Sequence, residues 1–257
     1  MTDCYSFHQG DSPLLVSVPH DGRGLPASIA ATMTDAGKSL PDTDWHIARL
    51  YDFVKELGAS MIVATMSRYV VDLNRPADDA SMYEGQRSTG LCPLQTFDGR
   101  ELYNGDVSID IEDRLKRYWR PYHDKLQQVL DTSRDNHGYA LLWDAHSIAS
   151  RMPTLFDGEL PILNIGTYDG HSCATFLSDA VLQAAQESPY EAVLNARFKG
   201  GYTTRHYGQP AQSIHAVQLE LAQRAYMDER TREYDADKAS QLRDTLQRML
   251  AAFTMPR

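Results

Sequence analysis

Cysteine is scarce in this sequence, and long apolar runs are missing. The 257 residues include three cysteines, Cys4, Cys92 and Cys173, which are scattered and form no CxxC pair. This pattern predicts reduced thiols and excludes a disulfide framework or a thiolate zinc site. No run approaches the roughly 18 apolar residues of a membrane span, and the N-terminal region lacks the pattern of a secretory signal. We therefore expect a soluble, cytoplasmic protein.

Positive charge is also in short supply. The chain has 25 Lys and Arg residues against 35 Asp and Glu residues, a formal net charge of -10 at pH 7, and it has no basic run. Such a chain repels the nucleic-acid backbone and anionic membrane surfaces. The composition excludes nucleic acid and membranes as expected partners and leaves small molecules. It does not indicate an oligomeric state.

Apolar runs of strand length alternate with segments of helical periodicity. A chain of this length with 42% hydrophobic residues can bury a full core as one domain, residues 1–257. The alternation predicts an α/β fold, with a single-domain mixed sheet flanked by helices on both faces. The strand candidates are LLVSV, ASMIVATMS, YVVDLN, YALLWDAH, LPILNIG and SIHAVQLEL. The helix candidates are DTDWHIARLYDFVKELG, residues 111–130, SCATFLSDAVLQAA and DKASQLRDTLQRMLAAF.

Polar side chains stand near the ends of several strand candidates. His20 follows the first candidate, and residues 72–75 close the third. Asp144 and His146 end the fourth, and Glu220 lies near the end of the last. In α/β sheets, ligands bind beyond the carboxyl ends of the parallel strands. We therefore expect these side chains to gather at one edge of the sheet.

The residue types in this group suit a metal-dependent hydrolase. Two imidazoles and one carboxylate are a common protein ligand set for a catalytic Zn²⁺, and His20 and His146 are the natural imidazoles. Asp144 lies two residues before His146, hence on the same strand face, and is expected to orient its ring. Glu220 interrupts an otherwise apolar strand and is placed to accept a proton from an attacking water.

Each of these residues also has a purely structural interpretation. His20 and His146 could be hydrogen-bonded core histidines. Asp42 and Asp44 could cap the helix that follows them. Glu220 could be an exposed residue of an edge strand.

Two further motifs also have a purely structural interpretation. The motif DLNR is also consistent with a turn that carries a surface arginine. The motif GGYTTRHYG is consistent with a flexible hairpin that leaves Arg205 in solvent. Five other histidines are interpreted as structural or surface residues: His8, His123, His137, His171 and His215.

Six sequence blocks, taken together, resemble the N-formylglutamate amidohydrolase family. They are SVPHDGRGLP, LPDTDWHIARLYDF, SRYVVDLNRP, LWDAHSI, GGYTTRHYG and VQLELAQRAYMDE, in this order between residues 17 and 229. The resemblance implies a zinc-dependent amidohydrolase with a core similar to that of zinc carboxypeptidases. It further implies hydrolysis of N-formyl-L-glutamate to formate and L-glutamate, the last step of a histidine degradation route.

The resemblance leaves the second metal ligand open. Zinc carboxypeptidases supply two ligands from an HxxE motif, whereas Arg23 stands here at the position of that glutamate. The block DTDWH is the best alternative source, and Asp44 is favoured over Asp42 and His46. The metal ligands implied are His20, Asp44 and His146.

The block VVDLNRP resembles the substrate-binding part of zinc carboxypeptidases. Its Asn74 and Arg75 match the Asn-Arg pair with which those enzymes hold a substrate carboxylate, a role that suits the planar guanidinium fork. Arg205 and Arg87 are the candidates for the second substrate carboxylate. In the implied mechanism, Glu220 takes a proton from the attacking water and returns it to the departing amine.

Three other functions are alternatives to the hydrolysis of N-formyl-L-glutamate. The first is a zinc-dependent deacylase or carboxypeptidase-like amidohydrolase acting on another N-acyl acidic amino acid. The second, a manganese ureohydrolase acting on formiminoglutamate, needs a later SxDxD-type carboxylate cluster that the sequence lacks. The third is a metal-containing binding protein for glutamate-like ligands, which would need the arginines but not the general base Glu220.

Overall fold

Seven strands form one mixed sheet at the centre of the structure. The computed structural model describes residues 4–81 and 89–254. The strands of this sheet are β1 (Tyr5–His8), β2 (Leu14–Val18), β3 (Ser60–Ala64), β4 (Ala140–Ile148), β5 (Leu163–Gly166), β6 (Ala192–Leu194) and β7 (Ile214–Ala222). A separate two-stranded sheet pairs β8 (Met227–Asp228) with β9 (Glu233–Tyr234).

The order of the strands places four parallel ones side by side. The sheet runs β1-β3-β2-β4-β7-β5-β6. Strands β3, β2, β4 and β7 are parallel, whereas β1 at one edge and β5 with β6 at the other run antiparallel to them. The carboxyl ends of the four parallel strands therefore meet at one edge, as the sequence predicts.

Helices cover the sheet on both sides. The α-helices are α1 (Ala27–Ala30), α2 (Asp35–Lys38), α3 (Ile47–Leu50), α4 (Ile111–Arg114), α5 (Arg120–His137), α6 (Thr175–Gln186), α7 (Tyr202–Tyr207) and α8 (Ala236–Thr254). A π-helical turn, Leu115–Trp119, joins α4 to α5, so the amphipathic helix predicted over residues 111–130 is confirmed as one continuous helical segment. None of the helices in the described ranges combines the length and the apolarity needed to cross a membrane.

The alternation of side chains along the strands divides the core into two layers. On β2, Leu15 packs with Leu126 of α5 in one apolar cluster. Its neighbours Leu14 and Val16 point to the other face and pack in a cluster with α3, α6 and α8. Both faces of the parallel strands are thus buried, which confirms the predicted α/β architecture with helices on both faces.

The predicted strand YVVDLN, residues 69–74, is wrong, because these residues form buried turns. The carboxylate of Asp72 accepts a hydrogen bond from the backbone N–H of Asn74 (2.8 Å). The backbone N–H of Arg75 bonds to the carbonyl oxygen of Asp72 (3.2 Å). Aspartate stabilises such turns because its short side chain binds the N–H two residues further on. The apolar side chains of Val71 and Leu73 pack in the same cluster as Leu126 of α5, so the run is buried without pairing as a strand.

The interpretation of GGYTTRHYG as a hairpin is also wrong, because its residues form the short helix α7. Gly201 precedes this helix and lies against the amide of Asn74. A Cβ atom at residue 201 would stand 2.2 Å from Nδ2 of Asn74. Glycine is therefore needed for this close approach, which brings α7 onto the 69–74 turns.

Helix α3 is capped by Asp21, and not by Asp42 or Asp44 as considered from the sequence. Helix α3 begins after His46, whose φ of 66° lies in the left-handed region. Asp21 accepts hydrogen bonds from the backbone N–H groups of His46 (3.2 Å) and Ala48 (2.9 Å). An acid at a helix start satisfies backbone donors that have no partner within the helix. Asp21 thus joins the end of β2 to α3.

The layer under α8 generates a stability prediction. Leu246 of α8 is fully buried, whereas Leu57 is 47% exposed. We expect Leu246→Ala to lower the free energy of unfolding by about 2–5 kcal/mol, because it leaves a cavity in the core. The control Leu57→Ala should change it by no more than about 0.5 kcal/mol. Urea unfolding followed by circular dichroism measures both, and equal losses would contradict this account of the core.

Candidate active site

The α5-facing side of the sheet changes from apolar to polar along its central strands. On β4, Leu142 packs under α5, and the next residues on the same face are Asp144 and His146. On β7, Gln218 and Glu220 follow in the same way beyond Ala216. The register places His146 beside Glu220. The polar residues therefore form a continuous patch at the carboxyl end of the parallel strands.

Two further side chains reach this patch from the segment that follows β2. His20 lies two residues after the strand and is 3% exposed, and Asp44 is 1% exposed. The backbone N–H of Asp44 bonds to the carbonyl oxygen of His20 (3.1 Å). Oδ2 of Asp44 accepts from the backbone N–H of Ser147 at the end of β4 (3.0 Å). These bonds hold Asp44 between the two histidines.

His20, Asp44 and His146 form a group that could hold a metal ion. Each offers one ligand atom, and these atoms lie within 4.8 Å of one another. Oδ2 of Asp44 is 3.1 Å from Nδ1 of His146 and 3.8 Å from Nδ1 of His20. Nδ1 of His20 is buried and has no hydrogen-bond partner among the described residues. A buried imidazole nitrogen without a partner, beside a carboxylate and a second imidazole, fits a divalent cation such as Zn²⁺.

The opposite nitrogen of each ring contacts a carboxylate. Nε2 of His20 lies 2.7 Å from Oδ1 of Asp72, and Nε2 of His146 lies 3.0 Å from Oδ2 of Asp144. Such contacts leave Nδ1 of each ring available as a ligand and fix the ring orientation. Burial alone would raise the pKa of Asp72, but Arg68 and His20 outweigh it and hold that pKa well below its usual range.

Asn74 also lies 3.0 Å from Nε2 of His146, through its Nδ2 atom. Nε2 carries one proton at most, and we assign it to Asp144 because hydrogen bonds to carboxylates are about twice as strong as neutral ones. Oδ1 of Asn74 accepts from the backbone N–H of Thr203 (2.8 Å), which sets the orientation of the amide. The N–H donors of Asn74 therefore stand beside the cleft that this residue lines.

Glu220 lies deep in the same cleft. It is 7% exposed and sits on β7, between β4 and β5, so the edge-strand interpretation is wrong. Nε2 of Gln218 donates to its Oε2 (3.2 Å). Burial raises the pKa of Glu220 to about 8, with His146 opposing and Asp44 reinforcing the rise. A carboxylate with a raised pKa is a stronger proton acceptor than an exposed one.

The cleft next to these groups carries three arginines, two from residues 67–75 and one from the segment before α7. Arg68, Arg75 and Arg197 line it together with His20, His146 and Glu220. Nε of Arg75 is buried without a hydrogen-bond partner in the described part of the chain. Nε of Arg197 donates to the carbonyl oxygen of Leu155 (3.0 Å).

The structure does not bring every predicted residue into the cleft. Nε of Arg205 donates to the carbonyl oxygen of Gly200 (2.8 Å), its guanidinium lies 4.5 Å from the ring centre of Tyr168, and it does not line the cleft. Arg87 lies outside the described residues. Arg205 is therefore not among the described residues that line the cleft with Arg75.

The two alternatives to Asp44 have other partners. Oδ2 of Asp42 accepts from the hydroxyl of Tyr69 (2.6 Å) and from the backbone N–H of Phe97 (2.7 Å). Nε2 of His46 contacts the carbonyl oxygen of Arg232 (2.9 Å). Of the three candidates, only Asp44 belongs to the group with His20 and His146 found among the described residues.

Sequence reasoning assigned no role to two arginines of this site, Arg68 and Arg197. Arg68 pairs with Asp72 (2.7 Å) and with Asp44 (3.6 Å), so it links the carboxylate behind His20 to the carboxylate between the two histidines. Arg197 enters the cleft from a segment without a recognisable motif. The four-residue spacing from Arg68 to Asp72 is a signal for an ion pair only in a helix, and these residues lie in turns.

The sequence comparisons with known proteins agree on one family. The sequence model of the family described as N-formylglutamate amidohydrolase matches residues 12–227. An N-formylglutamate deformylase of Pseudomonas putida is 51% identical over 233 residues, covering 89% of this chain and 87% of its own. A Pseudomonas aeruginosa protein of the same name is 49% identical over 257 residues, covering 97% and 96%.

Solved structures share the fold. A crystal structure of N-formylglutamate amidohydrolase from Ralstonia eutropha JMP134 superposes with a TM-score of 0.84 at 24% identity, covering 96% of both chains. The gene product Atu2144 from Agrobacterium tumefaciens gives a TM-score of 0.73 at 17% identity, covering 98% of this chain and 97% of its own. At these identities the likeness concerns the fold alone.

The geometry predicts which aspartate binds a metal. We expect protein dialysed against Zn²⁺ to retain one ion per chain, Asp44→Asn to lose it, and Asp42→Asn to keep it. Asp72→Asn should weaken zinc affinity by about 10- to 100-fold, because Asp72 orients the His20 ring. Atomic emission gives the stoichiometry, and competition with a chromogenic chelator gives the affinity. Retention of zinc by Asp44→Asn together with its loss from Asp42→Asn would reverse the assignment.

Proposed function

The chain belongs to the N-formylglutamate amidohydrolase family, and from that membership we propose that it hydrolyses N-formyl-L-glutamate to formate and L-glutamate. The observation that carries the proposal is the buried group of His20, Asp44 and His146 beside Glu220, in a cleft lined by arginines. A metal-ligand set, a proton acceptor and cations in one cleft are the components that hydrolysis of an anionic amide requires.

We propose Zn²⁺ as the ion held by His20, Asp44 and His146. When bound, it would act as a Lewis acid that polarises a carbonyl oxygen and makes water more acidic. Asp72 and Asp144 keep the two imidazole rings in the tautomer that directs Nδ1 towards the ion.

Glu220 serves as the proton carrier in this proposal. Its carboxylate takes a proton from the water that attacks the formyl carbon. As the bond between that carbon and the substrate nitrogen breaks, Glu220 returns the proton to the nitrogen, so that L-glutamate leaves as an amine. Its position on β7 beside His146 keeps the carboxylate next to the ligand group throughout.

The substrate carries two carboxylates, and the cleft offers two arginines that line it from different segments. Arg75, with the amide of Asn74, is assigned to one carboxylate, as the resemblance to zinc carboxypeptidases suggests. Arg197 is assigned to the other in place of Arg205, because Arg197 lines the cleft. These local cations offset the formal net charge of -10, since charges beyond roughly 8–10 Å are screened at physiological salt.

The wider setting follows from the same family membership. We propose that residues 1–257 act as one N-formylglutamate amidohydrolase domain in the cytoplasm, with a core related to that of zinc carboxypeptidases. The reaction would complete a histidine degradation route, because it releases free L-glutamate from its N-formyl derivative.

The reaction itself is tested by product release. Zinc-loaded protein incubated with N-formyl-L-glutamate is expected to release formate and L-glutamate in equal amounts. We expect Glu220→Gln to lower kcat by at least about 100-fold, because the amide cannot accept the proton, while zinc content stays the same. The matched control is Glu229→Gln, whose carboxylate binds Ser150 and the backbone N–H of Arg224 outside the cleft.

Three outcomes would contradict the proposal in different ways. Unchanged turnover by Glu220→Gln would remove Glu220 from the mechanism. Release of acetate from N-acetyl-L-glutamate, without formate release from the formyl substrate, would indicate a deacylase for another N-acyl acidic amino acid. Binding of N-formyl-L-glutamate without release of either product would indicate a binding protein.

The assignment of the second carboxylate generates a separate prediction. We expect Arg197→Gln to raise KM for N-formyl-L-glutamate about 10- to 100-fold, because a charged hydrogen-bond pair is lost. Arg205→Gln is the matched control and should change KM by less than about twofold, since its guanidinium lies over Tyr168. Steady-state kinetics of formate release measures both, and the reverse pattern would restore the prediction made from sequence for Arg205.

A further inference from the structure

The segment that carries the substrate-binding pair has no secondary structure of its own. Residues 67–75 form turns between β3 and the next helical segment, although they include Asp72, Asn74 and Arg75. A buried segment outside helices and strands must find donors for its backbone carbonyls elsewhere. The source of those donors decides how rigidly Asn74 and Arg75 are held.

One continuous helical segment, residues 114–123, supplies donors at three points along this turn. Each is a side-chain N–H group that binds a backbone carbonyl oxygen. The bonds are Arg114 Nη1 to Val70 (2.8 Å), His123 Nε2 to Leu73 (2.9 Å) and Trp119 Nε1 to Arg75 (2.9 Å). The last two fall on the residues that flank Asn74.

The π turn brings these three donors to one side of the helix. In an uninterrupted α-helix, residues five apart point about 140° away from each other, so Arg114 and Trp119 would lie on different faces. The π turn over Leu115–Trp119 closes with a five-residue spacing and removes most of that rotation. Trp119 then lies against His123, with 3.9 Å between the ring centres and 31° between the ring planes. Such single π turns in α-helices occur frequently at functional sites.

The donor on His123 is fixed by its surroundings. Burial lowers the pKa of His123 to about 3, so the ring is neutral and carries one N–H. The carbonyl oxygen of Leu73 can only accept, which places that hydrogen on Nε2. Nδ1 then accepts from the hydroxyl of Tyr207 (2.9 Å). The imidazole therefore links the 67–75 turn to α7, whose first residues bind Asn74.

We propose that Trp119 and His123 are positioning residues that set the carboxylate-binding geometry of Arg75 and Asn74 through the π turn. This inference rests on the proposed function, because it assigns the pair to a substrate carboxylate. Neither aromatic residue lines the cleft, so both act through the backbone that they hold. His123, interpreted from the sequence as structural, gains a specific role in substrate binding.

The decisive variant is Trp119→Phe, which keeps an aromatic ring and removes the N–H donor to the carbonyl oxygen of Arg75 together with the second ring of the indole. We expect KM for N-formyl-L-glutamate to rise roughly fivefold, the effect of one hydrogen bond, with kcat changed by less than about twofold. The matched control is Trp143→Phe, which removes an indole N–H bond to the hydroxyl of Tyr51 (3.0 Å) on the opposite face of the sheet. Its KM should stay as in the unmodified protein.

A double-mutant comparison separates positioning from general stability. In an Arg75→Gln background, Trp119→Phe should raise KM by a clearly smaller factor, because one of the two groups that it positions is already lost. An equal rise of KM in both backgrounds, or an equal rise in Trp143→Phe, would overturn the inference. His123→Gln retains a donor near the Nε2 position and should raise KM less than His123→Leu does.

The two levels of the proposal fail in different ways. Absence of formate release by the unmodified zinc-loaded protein would contradict the proposed function. The inference fails when the unmodified protein turns over substrate and Trp119→Phe does not differ from Trp143→Phe. Calorimetric binding of the product L-glutamate repeats the comparison without turnover, and Trp119→Phe is expected to weaken it by the same factor as KM.

Discussion

The burial of four carboxyl groups at one end of the sheet is the constraint on which the rest of this structure depends. Asp44, Asp72, Asp144 and Glu220 are each less than 10% exposed. Buried charges persist only when they are paired, hydrogen-bonded or bound to a metal. Arg68 pairs with two of the acids and supplies one positive charge. A divalent cation between the histidines and Asp44 would supply two more, so the donor set and the charge balance both favour a metal.

This constraint explains which elements of the fold cover the apolar part of the sheet and which support the polar patch. On one face of the parallel strands, Leu142 and Ala216 pack in the apolar cluster with α5, and the polar patch begins at the next residues on that face. The same helical segment, through its π turn, holds the 67–75 turn, and α7 closes over that turn from the other side. The residues proposed for substrate binding and for metal binding are therefore supported by shared elements.

Much of this arrangement could be predicted from patterns of residues. Apolar runs of strand length identified β2, β4 and β7. The rule that ligands bind beyond the ends of parallel strands placed His20, His146 and Glu220 at one edge. The strand prediction that failed has a local cause. The run YVVDLN has the composition of a strand, but Asp72 binds the N–H of Asn74 and turns the chain. The place of Arg205 could not be derived from its motif, because it depends on the helix α7, which puts the guanidinium 4.5 Å from the ring centre of Tyr168.

The sequence by itself determined the local tendencies of this protein: an α/β chain, polar residues after apolar strands, and a set of blocks that identifies the family. Only the tertiary structure decided which residues meet. Asp44 rather than Asp42 stands between the histidines, because Asp21 caps α3 and Tyr69 holds Asp42 elsewhere. The physical reason is that periodicity and turn chemistry act over a few neighbouring residues. Ligand sets and arginine positions depend on contacts between segments far apart in the chain, which no local pattern encodes.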